Sequence, residues 1–284
     1  MPARGDQPGD TVALESPTYY GFLQILQALG LRALEIPTDP RSGISLDALE
    51  AALSAHPVKA VLVMPNVSNP VGATMSDEAK KRLVTMLAAR GVPLIEDHIY
   101  AELNYESSAA RAAKAYDKTG NVMLCSSFSK TLSPGIKSGW IEPGRWYDRI
   151  RTLKFVSSGG TTELVELVLA DLLESGGYER SLRQLRRRCA QQVDAARAVI
   201  AESFPKGTKV TRPAGGFILW VELPKGCDSI ALFEKLLDRG ISIAPGPMFS
   251  ASQRYRNCMR ISLGHPWNER SEKALREIGR LAAI

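Results

Sequence analysis

The chain has 284 residues, of which 44% are hydrophobic and 23% are charged, and its 23 glycines and 17 prolines are spread along the sequence. This composition is typical of a globular protein with one or two domains, and it excludes a disordered, collagen-like or disulfide-scaffold protein. The net charge of +6 favours acidic small molecules or nucleic acid only weakly. The apolar runs are far shorter than the roughly 20 residues that cross a bilayer, and the first residues do not resemble a signal peptide. We therefore expect a cytoplasmic protein with no membrane partner.

The first half of the sequence alternates predicted strands and helices. Strands are predicted over 10–15, 32–36, 60–64, 92–96 and 122–125, and helices over 18–29, 46–55 and 77–90. Ser45 and Ser76 are the expected N-caps of the second and third helix. Short apolar runs separated by helices of ten or more residues indicate βαβ units. The fold class is therefore α/β, with a mostly parallel sheet buried on both faces.

The second half has a different character. Helices are predicted over 163–174, 178–204, 229–239 and 269–282, and strands over 217–223, 241–243 and 259–263. This order is typical of a smaller, mixed unit of helices and strands. We expect a large domain over 1–178 and a small C-terminal α+β domain over 179–284.

Polar residues follow several of the predicted strands. Asn69, Asp97 and Lys130 each come just after an apolar strand, and ligands of such sheets bind beyond the carboxyl ends of the strands. Ser127 and Ser129 surround Lys130 with donors suited to phosphate oxygens. The sequence therefore predicts a site for a small phosphorylated molecule, with a lysine and a carboxylate in it.

Four motifs resemble those of one family. Residues 127–140, SFSKTLSPGIKSGW, resemble the lysine motif of the fold-type I, class I/II aminotransferases, which bind pyridoxal 5'-phosphate (PLP). Residues 65–72 resemble the family's P-N-x-x-N-P-x-G loop, residues 96–100 its E-D-x-x-Y motif, and residues 257–262 its late arginine strand. Residues 15–19 and 215–220 are most similar to the aminotransferase-like effector domain of MocR-type, GntR-family regulators, with aminoadipate-type aminotransferases close behind.

The resemblance implies roles for residues around the cofactor ring. Lys130 would be the Schiff-base lysine and would move a proton at the substrate α-carbon. Asp97 would keep the pyridine nitrogen protonated, so that the ring acts as an electron sink. Tyr100 and Asn69 would hydrogen-bond the phenolic oxygen. Tyr19 would stack on the ring, although Tyr20 is an alternative and Tyr19 could equally be a core residue.

The resemblance also implies how phosphate and substrate are held. Ser127, Ser129 and Lys137 would contact the phosphate. Many relatives have arginine at the position of Lys137, and a point charge there replaces a bidentate fork. Arg260 would bind the substrate carboxylate through two parallel hydrogen bonds, with Asn69 beside it.

Further expectations concern local geometry on the substrate side. Residues 215–216 and 245–249 would line the substrate side or serve a structural purpose. The Asn69-Pro70 bond, and less strongly Ser16-Pro17, is predicted to be cis, although few X-Pro bonds are cis.

The expected function is a PLP-dependent aminotransferase that moves an amino group between an α-amino acid and a 2-oxo acid. The alternative is the PLP-binding effector domain of a MocR/GntR-type regulator with little turnover. A PLP lyase, racemase or decarboxylase is a third possibility. The family implies a homodimer, and DNA would bind only through a further N-terminal domain.

The sequence departs from the family at its start. Relatives have a long region before residue 8, including one strand of the sheet and a helix N-terminus that binds phosphate. We expect an N-terminally incomplete chain, which would bind PLP weakly, show little transaminase activity and expose an unpaired sheet edge. Such an edge favours association, so aggregation or non-native dimers are expected.

Overall fold

The fold is built on a seven-stranded sheet, seen in a computed structural model that describes residues 9–106 and 110–283. Its strands are β1 (Thr11–Ser16), β2 (Arg32–Asp39), β3 (Gly43–Ile44), β4 (Val58–Val63), β5 (Leu94–Asp97), β6 (Val122–Ser127) and β7 (Gly139–Glu142). Their order is β3-β2-β1-β4-β5-β6-β7. The five central strands are parallel, and β3 and β7 add antiparallel edges.

Eight α-helices lie in the described residues. They are α1 (Tyr20–Ala28), α2 (Leu46–Ala55), α3 (Asp77–Ala89), α4 (Tyr147–Ser158), α5 (Glu163–Glu174), α6 (Gly177–Ser203), α7 (Ser229–Leu237) and α8 (Glu269–Ala282). The predicted caps are confirmed, since Ser45 Oγ accepts the Ala48 N–H at 3.3 Å and Ser76 Oγ accepts the Ala79 N–H at 3.2 Å. No helix among the described residues has the length and apolar character needed to cross a membrane.

Apolar side chains project from both faces of the large sheet and pack against helices. This is why its strands are apolar runs in the sequence. On one face, Val12 and Leu14 of β1 pack with Leu26 of α1. On the other face, Val61 of β4 packs in one cluster with Leu83 of α3. The predicted mostly parallel sheet, flanked by helices, is confirmed.

A second, smaller sheet follows in the C-terminal part. Its strands are β8 (Lys209–Val210), β9 (Ile218–Glu222), β10 (Ala244–Pro245) and β11 (Cys258–Ser262). They are antiparallel, in the order β10-β11-β9-β8. Apolar residues of this sheet pack in one cluster with α6, α7 and α8, so the expected α+β unit is present.

The predicted strand over 241–243 is wrong. The strand lies at Ala244–Pro245 instead. The residues just before this strand belong to the turn that ends α7. In that turn Gly240 has a left-handed φ of 67° and the Ile241 N–H donates to the Leu236 carbonyl at 3.0 Å. A helix-ending turn of this kind occupies the backbone that a strand would need.

Two elements that the sequence did not predict lie next to each other in the chain. They are the edge strand β7, all four residues of which are exposed, and α4, which has no buried residue. Neither buries an apolar stripe, and hydrophobic periodicity is the signal by which elements are predicted. β7 forms one edge of the large sheet, and the expectation that a strand from a preceding segment belongs at an unpaired edge stays a prediction. Residues 1–8, on which the expectation of no signal peptide depends, lie outside the described part of the chain.

Candidate active site

The carboxyl ends of β5 and β6 bring Asp97 and Lys130 to one edge of the large sheet. Asp97 ends β5 and is in register with Cys125 of β6, while Lys130 lies in the turn that follows β6. The two side chains are close enough for the charge of Lys130 to lower the pKa of the Asp97 carboxyl. The structure therefore brings together two residues that the sequence placed at strand ends.

The Asp97 carboxyl group is held in an environment that disfavours its charge. Burial is the largest effect and raises its pKa to about 6, although the Ile99 N–H at 2.9 Å and the charges of His98 and Lys130 lower it. In the described chain, no basic side chain forms an ion pair with Asp97. A cationic N–H placed against this carboxylate would favour its ionised form.

Tyr100 and Tyr19 share these surroundings. Tyr100 is 5% exposed, and its ring meets Phe217 edge-on at 5.5 Å between centroids. Burial is the main reason why the pKa values of both tyrosines are raised, and the charges of Asp97 and Arg260 act on both hydroxyl groups. The predicted residues Tyr19, Tyr100, Asp97 and Arg260 therefore lie around one site.

Asn69 and Arg260 meet directly. Asn69 is buried in the loop after β4, and its Oδ1 accepts a hydrogen bond from Arg260 Nη1 at 3.1 Å. Both predicted cis bonds, Asn69-Pro70 and Ser16-Pro17, are cis. Arg260 lies in β11, and its Nε is buried without a hydrogen-bond partner among the described residues. A half-buried guanidinium with a buried, unused Nε donor is suited to an anionic ligand.

The loop around Lys130 contains the predicted phosphate ligands. Ser127 ends β6, and its Oγ accepts the Ser129 N–H at 3.2 Å. Lys137 is exposed and has a left-handed φ of 51°. The described structure records no contact between Lys137 and either serine, so its role in holding phosphate stays a prediction.

The glycine pair has a structural explanation. A Cβ at Gly215 would lie 2.6 Å from the Leu103 carbonyl oxygen, and the Gly216 N–H donates to the same carbonyl at 3.0 Å. Gly216 also has a φ of 73°. Close backbone approach and a left-handed φ both require glycine. A substrate-facing role for this pair stays a prediction.

The aromatic surroundings of Arg260 were not predictable from the sequence. The guanidinium carbon lies 5.7 Å from the ring centroid of Tyr20 and 5.2 Å from that of Phe249. The sequence offered Tyr20 only as an alternative stacking residue and Phe249 only as part of a loop. No pattern links them to Arg260, because Tyr20 comes from the start of α1 and Phe249 from an irregular segment before β11.

The sequence of almost the whole chain matches one family. Residues 5–278 match the profile described as aminotransferase class I and II. This chain belongs to that family. The match spans both sheets and every candidate site residue, in agreement with the motifs around Asn69, Asp97, Lys130 and Arg260.

Known proteins of two kinds are similar to this chain. The uncharacterized HTH-type transcriptional regulator YjiR of Escherichia coli (strain K12) is 39% identical over 273 residues, which cover 96% of this chain and 58% of the regulator. The 2-aminoadipate transaminase of Thermus thermophilus is 31% identical over 278 residues, covering 96% of this chain and 69% of the transaminase. The crystal structure of Pyrococcus horikoshii kynurenine aminotransferase in complex with PMP has a TM-score of 0.91 and 28% identity, covering 97% of this chain and 70% of that one. The chain thus spans less than two thirds of the length of the regulator.

Proposed function

We propose that this chain is a PLP-dependent aminotransferase domain that moves an amino group between an α-amino acid and a 2-oxo acid. The observation that carries the proposal is the shared site of Asp97, Lys130 and Arg260, formed where both sheets meet the loop of Asn69. The similarity to a kynurenine aminotransferase over 97% of this chain supports it.

The residues of the site fit PLP. The half-buried Asp97 carboxylate has no basic ion-pair partner among the described residues, and a protonated pyridine nitrogen would supply one. The hydroxyl groups of Ser127 and Ser129 lie within three residues of Lys130, where a phosphate would accept from them. When bound, PLP supplies the electron sink for a carbanion at the substrate α-carbon.

The residues of the chain would have separate roles in binding the cofactor, moving a proton and binding the substrate. The Lys130 amine would hold the cofactor and, once released, would carry a proton to and from the substrate α-carbon. Tyr100 and Asn69 would hydrogen-bond the cofactor's phenolic oxygen, and Tyr19 would cover the ring. Arg260 binds the substrate carboxylate with its free donors, while its contact with Asn69 fixes one side of the guanidinium.

The alternative function is a PLP-binding effector domain of a MocR/GntR-type regulator. The observation in its favour is the 39% identity to HTH-type transcriptional regulators, of which this chain covers 58% and 59%. In that case an amino compound would bind and shift a conformational equilibrium with little turnover. DNA would then be a partner only through a further N-terminal domain.

The proposal also covers the domain division, the oligomeric state and the location of the protein. We infer a division into a PLP-binding large domain over 1–178 and a small domain over 179–284, supported by the two separate sheets. A homodimer is supported by the large apolar side chains that α4 and α5 expose. The four free cysteines are consistent with the proposed cytoplasmic location.

Amino-group transfer tests the proposal. The PLP-loaded chain is incubated with each standard α-amino acid and 2-oxoglutarate, and the formation of glutamate is followed. We expect slow turnover with at least one amino acid, which Lys130→Ala lowers by about 10²–10⁴ and the control Lys273→Ala, exposed on α8, leaves unchanged. Binding of PLP and an amino acid without more than one transfer per chain would favour the regulator instead.

A further inference from the structure

Two adjacent tyrosines at the start of α1 point into different surroundings. Tyr19 is the N-cap of α1, with extended backbone (φ −61°, ψ 123°), and its ring meets Phe22 edge-on at 5.4 Å. The ring of Tyr20 instead meets Phe249 at 5.8 Å and the guanidinium of Arg260 at 5.7 Å. Tyr20 therefore contacts the predicted carboxylate-binding group, while Tyr19 lies beside it at a ring separation of 4.8 Å.

The guanidinium of Arg260 is fixed by very few polar contacts. Asn69 accepts one hydrogen bond from Nη1, and Nε is buried without a partner among the described residues. No carboxylate of the described chain forms an ion pair with Arg260. The rings of Tyr20 and Phe249, both within about 6 Å of the guanidinium carbon, are therefore its main surroundings.

Aromatic rings suit a cation that must stay available. A carboxylate of the protein would neutralise Arg260 and compete with the ligand, whereas ring faces stabilise the charge without occupying its hydrogen-bond donors. Phe249 is a rigid wall, because it is fully buried and packs edge-on against Trp220 at 5.3 Å. Tyr20 is half-buried and lies beside Phe249, with 5.8 Å between the two ring centroids, so the two rings form adjoining walls next to the guanidinium.

A backbone hydrogen bond links the segments that carry Tyr20 and Phe249. The Thr18 N–H donates to the Phe249 carbonyl at 3.0 Å, so the segment that carries Tyr19 and Tyr20 is tied to the segment that carries Phe249. The positions of the two rings around Arg260 are thus set by a direct link between the two parts of the chain.

We propose that Tyr20 is a positioning residue, which with Phe249 holds the guanidinium of Arg260 against two adjoining aromatic rings so that its free donors meet the ligand carboxylate. The inference rests on the proposed role of Arg260 as the carboxylate-binding residue. It assigns the two tyrosines different tasks: Tyr19 toward the cofactor ring and Tyr20 toward the arginine.

Calorimetric titration of carboxylates into the PLP-loaded chain tests this. The probes are 4-methylpentanoate, 3-phenylpropanoate and glutarate, which lack amino and oxo groups and so bind without reacting. We expect Tyr20→Leu to weaken the Kd by about threefold to thirtyfold and Tyr20→Phe, which keeps the ring, to stay within about twofold of wild type. The matched control is Tyr147→Leu, which removes an exposed tyrosine that also faces an arginine, Arg151 at 5.8 Å, and leaves the Kd unchanged.

A double variant and a fluorinated series make every outcome decisive. Tyr20→Leu in an Arg260→Ala background causes no additional loss if the ring acts through the arginine. If Tyr20→Leu does not fold, phenylalanines with one, two and three ring fluorines at position 20 give a stepwise loss of affinity, since fluorine weakens the ring's negative face at nearly constant size. Equal affinities across that series, or an unchanged Kd in Tyr20→Leu while Arg260→Ala binds weakly, would overturn the inference alone. Probe binding that does not depend on Arg260, or no probe binding at all, would overturn the inference together with the proposed role of Arg260.

Discussion

Glu15 carries an enclosed carboxyl group on β1. The residue is 2% exposed, and its Oε2 accepts the Met64 N–H at 2.9 Å. Burial outweighs this hydrogen bond and raises the pKa of Glu15 to about 8, with a smaller contribution from the charge of Asp97. At neutral pH the group is therefore mostly protonated in the folded chain.

This proton makes folding pH-dependent. Between about pH 4.5 and 8 the folded chain keeps a proton that the unfolded chain has released, so the free energy of unfolding falls as pH rises, by about 1.4 kcal/mol per pH unit from this group. Glu15→Gln removes that slope. Urea unfolding at pH 5, 6.5 and 8 measures it, with the exposed Glu174→Gln as control. Parallel curves for wild type and Glu15→Gln would show that Glu15 titrates normally.

Lys137 offers a second test at the residue scale. If it holds the cofactor phosphate as a point charge, Lys137→Arg adds a bidentate contact and tightens PLP binding by about 1 kcal/mol, roughly fivefold in Kd. Lys273→Arg is the control, since that side chain is 79% exposed on α8. Titration of PLP followed by absorbance gives both values. An unchanged Kd in Lys137→Arg places the phosphate elsewhere.

The loop after β4 contains a strained residue. Val67 is β-branched and only 4% exposed, yet its φ is 51°. Its N–H donates to Thr74 Oγ1 at 3.1 Å, and it lies two residues before Asn69. Strain of this kind persists where the surroundings determine the conformation, and here it shapes the loop that presents Asn69 to Arg260.

Paired substitutions measure that strain. Glycine adopts a left-handed φ without cost, whereas alanine does not. We therefore expect the free energy of unfolding of Val67→Gly to equal that of Val67→Ala or to exceed it, by up to about 1 kcal/mol. Val84 is the matched control because it is also 4% exposed but lies within α3, where glycine is less stable than alanine by about 1 kcal/mol. Denaturant midpoints of the four variants decide. The same preference for alanine at both positions would argue against strain at Val67.

How far sequence predicts an element depends on what the element buries. The bounds of α2, α5 and α8 are predicted to the residue, because each has an apolar stripe and two of them have side-chain caps. In contrast, α4 buries no residue and β7 is an exposed edge, so neither has the periodicity that the prediction needs. The strand at Ala244–Pro245 was misplaced because Ile241 and Ile243, which follow the turn that ends α7, are apolar too.

The same distinction applies to the site. Asp97 and Lys130 were predictable because parallel strands end at a common edge and because the surrounding motifs have a fixed order. The contacts of Arg260 with Tyr20 and Phe249 were not, since the first depends on how the second sheet packs against the start of α1 and the second on the irregular segment before β11. Positions within a motif can be predicted from sequence, whereas contacts between distant segments need the fold.

At the scale of the whole molecule, α4 and α5 expose apolar side chains that a folded chain normally covers. Their exposed fractions are 51% to 76% for Leu153, Phe155, Val156, Leu164, Leu167 and Val168. We expect a homodimer through this face, and Leu167→Lys should weaken its association by about tenfold or more, or about 1.4 kcal/mol. Light scattering after size-exclusion chromatography measures the mass, with Leu237→Lys on α7, 50% exposed, as control. An equal effect of both substitutions would place the interface elsewhere.

The most direct test of the account is to find where PLP attaches. The chain is saturated with PLP and reduced with borohydride, which fixes the cofactor on the amine that holds it, and its peptides are mapped by mass spectrometry. The account predicts one label, on Lys130, and none in Lys130→Ala. A label at another lysine, or no label at saturating PLP, would contradict the assignment of the site at the carboxyl ends of β5 and β6.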